Sequence, residues 1–198
     1  DPANSYMSHT YTNRHTFSPY LQFGNTFAEK SALSITLMPQ IALVHRKLDY
    51  TRNRQNYRLS KTNAEIDISS IWDGRIEYSF GRIDPKRYRY RNSIRYSFRV
   101  STNLPEMTDL LDIVDDSDPL NITRGNPGLK PSWENSLRVF FNNYITEKQQ
   151  GMMAGLFVTQ ESNSISNAVS YDEETGVRTV RPENINGNWN ARGNFMFN

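Results

Sequence analysis

From residue 63 to residue 80 the chain alternates with a period of two. Ala64, Ile66, Ile68, Ser70, Trp72, Gly74, Ile76, Tyr78 and Phe80 hold the even positions. Asn63, Glu65, Asp67, Ser69, Asp73, Arg75, Glu77 and Ser79 hold the odd ones, and Ile71 is the lone violation. A strand segregates such residues onto two faces, whereas a helix scatters them around its axis. Such a strand spans about 60 Å at ~3.3 Å per residue; a break near Asp73–Gly74 would instead make it a hairpin. Residues 87–101 repeat the pattern more sharply. Tyr88, Tyr90, Ile94, Tyr96, Phe98 and Val100 oppose Arg87, Arg89, Arg91, Ser93, Arg95, Ser97, Arg99 and Ser101. Burying unpaired guanidinium groups costs several kcal/mol each. The arginine face is therefore wet, or paired with Glu65, Asp67, Asp73 and Glu77 next door.

Weaker alternation marks the remaining strands. Phe17, Leu21 and Phe23 predict a first one, with Pro19 suiting an edge or a bulge. Leu33, Ile35, Leu37, Ile41 and Leu43 predict a second, interrupted by Pro39. Trp133, Leu137, Val139, Phe141 and Ile145 share a face of a fifth strand. A sixth runs from Met152 to about Tyr171, with a phase slip near Ser162 that reads as a bulge. After the turn at 172–176, where Gly176 supplies a positive φ, comes a short return at 177–181. A last strand carries Trp189, Ala191, Phe195 and Phe197. Short connections (27–31, 81–86, 147–151) alternate with longer ones (46–57, 102–131, 172–183). Long two-faced strands with short turns at one end and long loops at the other describe a transmembrane β-barrel. Trp72, Tyr88, Trp133 and Trp189 suit its interfacial girdles. The fold class is thus all-β, an antiparallel meander of about seven long strands forming part of such a barrel. A single domain over 1–198, cut at both ends, is expected.

Composition sharpens this. Only 36% of the residues are hydrophobic while 12% are aromatic, which suits one-sided strands better than a thick core. The longest apolar run, Met152–Val158, is far short of a spanning helix, which needs ~20 residues. A net charge of +2 argues neither for nor against nucleic acid. With no cysteine there is no disulfide scaffold or thiolate metal site.

Candidate chemistry is sparse. Single-strand nucleic-acid binders set aromatic and basic residues on one face; here they lie on opposite faces, so no nucleic-acid partner is expected. The acidic run Asp109, Asp112, Asp115, Asp116 and Asp118 lacks the spacing of a calcium loop and reads as a solvated connection. His9, His15 and His45 show neither metal-ligand spacing nor a fixed nucleophile. No catalytic residue, metal or cofactor is expected.

The connector 102–131 carries the most specific stretch. Gly125-Asn126-Pro127-Gly128-Leu129-Lys130-Pro131 resembles the G-N-P-x-L-K-P-E signature of TonB-dependent outer-membrane receptors, with Ser132 where Glu is usual. Asn103-Leu-Pro-Glu-Met107 resembles the segment that ends the preceding strand in that family. Asp118-Pro-Leu-Asn-Ile122 and Asn184-Ile-Asn-Gly-Asn-Trp189 resemble its Bacteroidetes branch. The resemblance implies a 22-stranded transporter in the outer membrane of a Gram-negative bacterium. It would import a bulky solute, its partners being membrane lipid and, through a plug domain not seen in this chain, the TonB system. The motif residues are Gly125, Asn126, Pro127, Leu129, Lys130 and Pro131. With loops 46–57 and 102–131 on the outer surface, Arg52, Arg124, Asn126 and Lys130 are the candidate solute contacts. The reading from another class is a soluble β-sandwich or adhesin-like module binding glycan or protein, whose apolar faces would pack on each other.

Overall fold

A computed structural model describes residues 6–28, 31–52, 54–79 and 89–198, with the side chains of 27, 28, 31, 75–79, 89 and 90 left out of the description. The strands are β1 (Tyr6–Phe17), β2 (Leu21–Ala28), β3 (Ser31–Arg52), β4 (Gln55–Ser79), β5 (Arg89–Asn103), β6 (Val114–Asp115), β7 (Asn121–Arg124), β8 (Ser132–Ile145), β9 (Gln150–Ser162), β10 (Ser164–Tyr171), β11 (Arg178–Ile185) and β12 (Asn188–Phe197). Phe80, Arg87, Tyr88 and the expected turn at 81–86 lie outside the described residues, as do the side chains of Ile76, Tyr78 and Tyr90.

One large antiparallel sheet runs β1-β3-β4-β5-β8-β9-β12, with β2 continuing the line of β1 along β3. The path has seven strands, six of them in segments that the alternation marks; the first, β1, lies ahead of the expected strand at 17–23, which is broken at 18–20 and survives as β2. β4 is continuous from Gln55 to Ser79, with no hairpin at Asp73–Gly74. The proline problem is solved by position. Pro39 faces the gap at 18–20, where β1 has ended and β2 has not begun, so no ladder partner on that side needs its missing N–H. A second, four-stranded sheet, β10-β11-β7-β6, is built from the two long connections.

The ladders carry one face across the whole large sheet. Ile35, Trp72, Tyr96, Val139 and Leu156 form one cross-strand row; Leu37, Ser70, Phe98, Leu137 and Val158 form the next. The face remains open: Trp72 and Leu156 are each 45% exposed, and in the row below Ile94 is 52% and Phe195 67%. On the opposite face stand Asp67, Asp73, Arg95, Arg99, Glu134 and Arg138. Among the described residues no second sheet covers the apolar face. On β3 the apolar stripe runs from Leu33 to Leu43, about 33 Å along the strand and ~25 Å in height at a ~40° tilt, the thickness of an outer-membrane apolar band. Trp133 and Trp189 lie in its upper rows. Trp72 does not lie at a strand end but inside the lower half, where Nε1–H donates to Ser70 Oγ at 2.8 Å. The hydroxyl beside it satisfies a donor that hydrocarbon would leave unpaired.

Two further expectations are corrected. Residues 46–57 are not a loop: β3 and β4 continue their pairing from Leu43↔Ala64 up to Arg52↔Gln55, and the described part of the turn is Arg54, at φ 63°. The phase slip near Ser162 is not a bulge within one strand. Asn163 takes φ 53°, and the chain leaves the large sheet to start β10 in the small one.

The β3–β4 extension stands above the apolar band, and its buried side is the other one. Ala42, Val44 and Leu48, all on the polar-side register, are 1–2% exposed. Leu48 packs with Met107, Leu110, Leu111 and Leu129 from the long connector, and Tyr50, Tyr57, Leu59, Ile113 and Ile165 surround them. The main apolar core therefore forms where the connector folds back over the wet face, outside the lipid band.

Candidate functional site

The connector is held by its own motif. Gly125 N–H donates to Ile113 O at 3.1 Å and Asn126 N–H to Asp109 O at 2.6 Å, closing a tight double-backed loop. A side chain at Gly125 would place its Cβ 1.8 Å from Leu111 O, so glycine is required by space. Asn126 is the hub. Its Nδ2 donates to Pro182 O at 2.9 Å, and its Oδ1 accepts from Gly128 N–H and Arg181 Nη2, each at 3.0 Å. Asn184 completes the clasp: Lys130 N–H donates to its Oδ1 at 2.8 Å, and its Nδ2 lies 3.0 Å from Lys130 O and 2.8 Å from Asn163 O. Leu129 is the buried pin. The two stretches that resembled one family, 125–131 and 184–189, are thus brought together by direct hydrogen bonds.

Electrostatics ties the connector to the hairpin extension. Arg52 is 9% exposed and forms an ion pair with Asp115. Ser117 donates to the same carboxylate through Oγ at 2.6 Å and N–H at 3.1 Å. These bonds from Ser117 and Arg52 pull Asp115 down to about 2, and its carboxylate in turn raises the Arg52 guanidinium. Asp118 lies low because Asn121 and the Leu120 N–H donate to it. Asp109 moves the other way, raised first by burial and then by Glu106. Asp112, Asp115 and Asp118 are therefore divided among local turns and ion pairs. Among the described residues no group of His, Asp and Glu converges as a metal site. His45 and Asp49 share the outward side of the extension, where His45 Nδ1 lies 2.8 Å from Thr62 Oγ1.

Beneath the folded connector, a lid over the wet face, lies a cavity of about 510 Å³ lined by Arg14, Gln40, Arg46, Glu65, Asp67, Arg99 and the start of the connector. Its charges are largely matched. Arg14 meets Glu65 at 2.9 Å, and Arg99 reaches both oxygens of Asp67. Arg46 is less satisfied. Its Nη1 donates to Pro105 O at 2.7 Å, while Nε and Nη2 are buried without an acceptor among the described residues. Burial lowers its pKa, and Glu65 acts against that shift. One guanidinium thus fastens the lid to the wall with two donors to spare.

The four candidate contacts fall into two kinds. Arg52 and Asn126 are engaged inside the lid. Arg124, 3.5 Å from Asp112, and the Lys130 side chain are exposed on it. Arg46, Glu65 and Asn184 were not among the candidate contacts: Glu65 entered only as a possible partner of the arginine row and Asn184 only within a resembling stretch. The signal for Arg46 was available in retrospect: it continues the even-numbered row of Ala42 and Val44, which alternation alone marks as a strand face.

A family model for outer membrane protein beta-barrels matches residues 86–198 of this chain. Comparison with curated proteins and with solved structures gives no match.

Proposed function

The chain belongs to the outer membrane protein beta-barrel family and is a protein of the Gram-negative outer membrane, and on that premise we propose that it forms part of the wall of a TonB-dependent receptor importing a bulky solute. The observation that carries the reading is the inward lid. A connector with its own apolar core folds over the wet face, above a cavity lined by arginines and carboxylates, instead of projecting from the rim. A simple open pore gains nothing from such a lid; a gated path for a recognised solute does. The clasp of Asn126 and Asn184 gives a physical reason for the signature that the chain shares with these receptors. Arg124 and Lys130, exposed on the lid, are the first contacts available to an arriving solute; Arg52 and Asn126 support them from below. No enzymatic reaction is assigned.

The test is a binding assay between the full-length protein in detergent and the periplasmic domain of TonB. Saturable binding is expected. No binding at high micromolar concentration overturns the receptor reading and leaves barrel-family membership untouched.

A further inference from the structure

The wet face differs across the sheet. On β4 and β5 its cations are matched: Arg95 lies on Asp73 and Arg99 on Asp67. On β8, β9 and β12 they are not. Arg138 and Arg192 are exposed, and neither has a carboxylate partner among the described residues. The acids of that region, Glu134 and Glu161, sit higher up the wall, paired across β8 and β9. Between the two guanidiniums stands an aromatic ring. Phe157 is the direct cross-strand neighbour of Arg138 on one side and Arg192 on the other. Two strand spacings of ~4.8 Å set the two arginine backbones about 10 Å apart.

The ring does not stand alone. Phe140 meets Phe157 edge-on, with centroids 5.1 Å apart, and Arg192 Cζ lies 5.1 Å from the Phe157 centroid. Directly below, Gly155 makes a dent that the Asn194 amide partly fills: a Cβ there would come within 2.2 Å of Asn194 Oδ1. Met153 and Met196, cross-strand neighbours, continue the apolar surface at 36% and 56% exposure. A face turned toward water has no reason to carry this much apolar surface for its own sake. A merely solvated arginine face does not need it either. Guanidinium groups recognise carboxylate and related oxyanions through paired N–H donors, while the rings and thioethers offer an adaptable bed for an apolar body.

We propose that the wet face of β8, β9 and β12 is a binding site for an amphipathic organic anion. Arg138 and Arg192 hold its oxyanion, and Phe140, Phe157, Met153 and Met196 hold its apolar part. The site lies below the lid, so a solute admitted past the connector meets it next. The inference rests on the transport reading to the extent that solute must reach this wall.

The test uses 1-naphthoate and its neutral counterpart 1-naphthalenemethanol, titrated into the full-length protein in nanodiscs. Naphthoate is expected to bind at least tenfold more tightly than the alcohol. Arg138→Gln and Arg192→Gln should each weaken naphthoate at least fivefold, and Phe157→Leu should weaken both compounds. Arg58→Gln, on the outward side of the extension, should change nothing. Equal affinity for the two compounds, or unchanged binding in both arginine variants, overturns the site. So does failure of a water-soluble maleimide to label Asn142→Cys in the folded protein, since another segment then covers the wall. TonB binding is scored separately. Naphthoate binding without TonB binding removes the receptor reading and keeps the site; TonB binding without naphthoate binding removes the site alone.

Discussion

Below Leu43 the odd side of β3 is the apolar one; above it, the even side is the one that is buried. Leu33, Ile35, Leu37, Ile41 and Leu43 share the open apolar face of the sheet, and Ile41 and Leu43 are more than half exposed. Ala42, Val44 and Leu48 point the opposite way and are almost fully buried. Backbone, register and period do not change at the crossing. What changes is the medium on each side. In the lower half lipid meets one face and water the other. In the upper half water meets the outer face, with His45, Lys47 and Asp49, and the folded connector meets the inner one. An alternating strand records which side is dry at each height, and this strand changes its answer once.

Substitutions can break that comparison, and their expected effects fall in order of size. Leu48→Ala removes the centre of the upper cluster and should cost about 2–5 kcal/mol of connector docking. The readout is hydrogen exchange, rising over 104–131 while the sheet below stays protected; equal loss of protection in both halves would show that they are one cooperative unit. Phe98→Arg places a cation near mid-height on the lipid face, where about 2–4 kcal/mol of membrane stability should be lost. Ile94→Arg, two rows below Phe98 on the same face and nearer the lower edge of the band, should cost less than Phe98→Arg by the same depth dependence. Reversible unfolding of the full-length protein in vesicles measures both, and reversal of that order would misplace the band.

Gly125→Ala drives a Cβ into the Leu111 carbonyl and should cost ~1–3 kcal/mol, again in the lid alone. Its signature is new protease cleavage within 104–131 with unchanged membrane insertion. The smallest effect concerns pH. Asp115 titrates lower in the folded protein than in the unfolded chain, so its contribution is complete above about 4 and lost as the pH falls toward 2. Its side chain is 46% exposed, so solvent screening reduces this to under about 1 kcal/mol. Asp115→Asn should abolish that part of the acid sensitivity of lid protection; an unchanged profile in the variant would assign it to other carboxylates.

Much of the sheet was legible from residue order. Strict alternation over 63–80 and 87–101 needs only the two-residue period of a strand, and it gave the faces and the long strands, with the carboxylates next door as one of two ways to satisfy the arginine row. Arg46–Tyr57 was misread because charged residues on an outward face and apolar ones on an inward face look like a basic loop when the inner partner is unknown. Phe140, Tyr144 and Phe157 were passed over for a related reason. They fall on the polar register, and a period argument that assigns one medium to each face has no place for them.

Sequence alone therefore determined the local geometry, because alternation and glycine and proline positions act within a few bonds. The tertiary structure decided which side is dry above the band and what the signature at 125–131 grips. It also decided which arginines find carboxylates. Those outcomes depend on contacts between residues far apart in the chain, from 22 positions for Arg95 with Asp73 to 56 for Asn126 with Pro182 and 63 for Arg52 with Asp115, and chain closure over such distances leaves no mark in a short window of sequence.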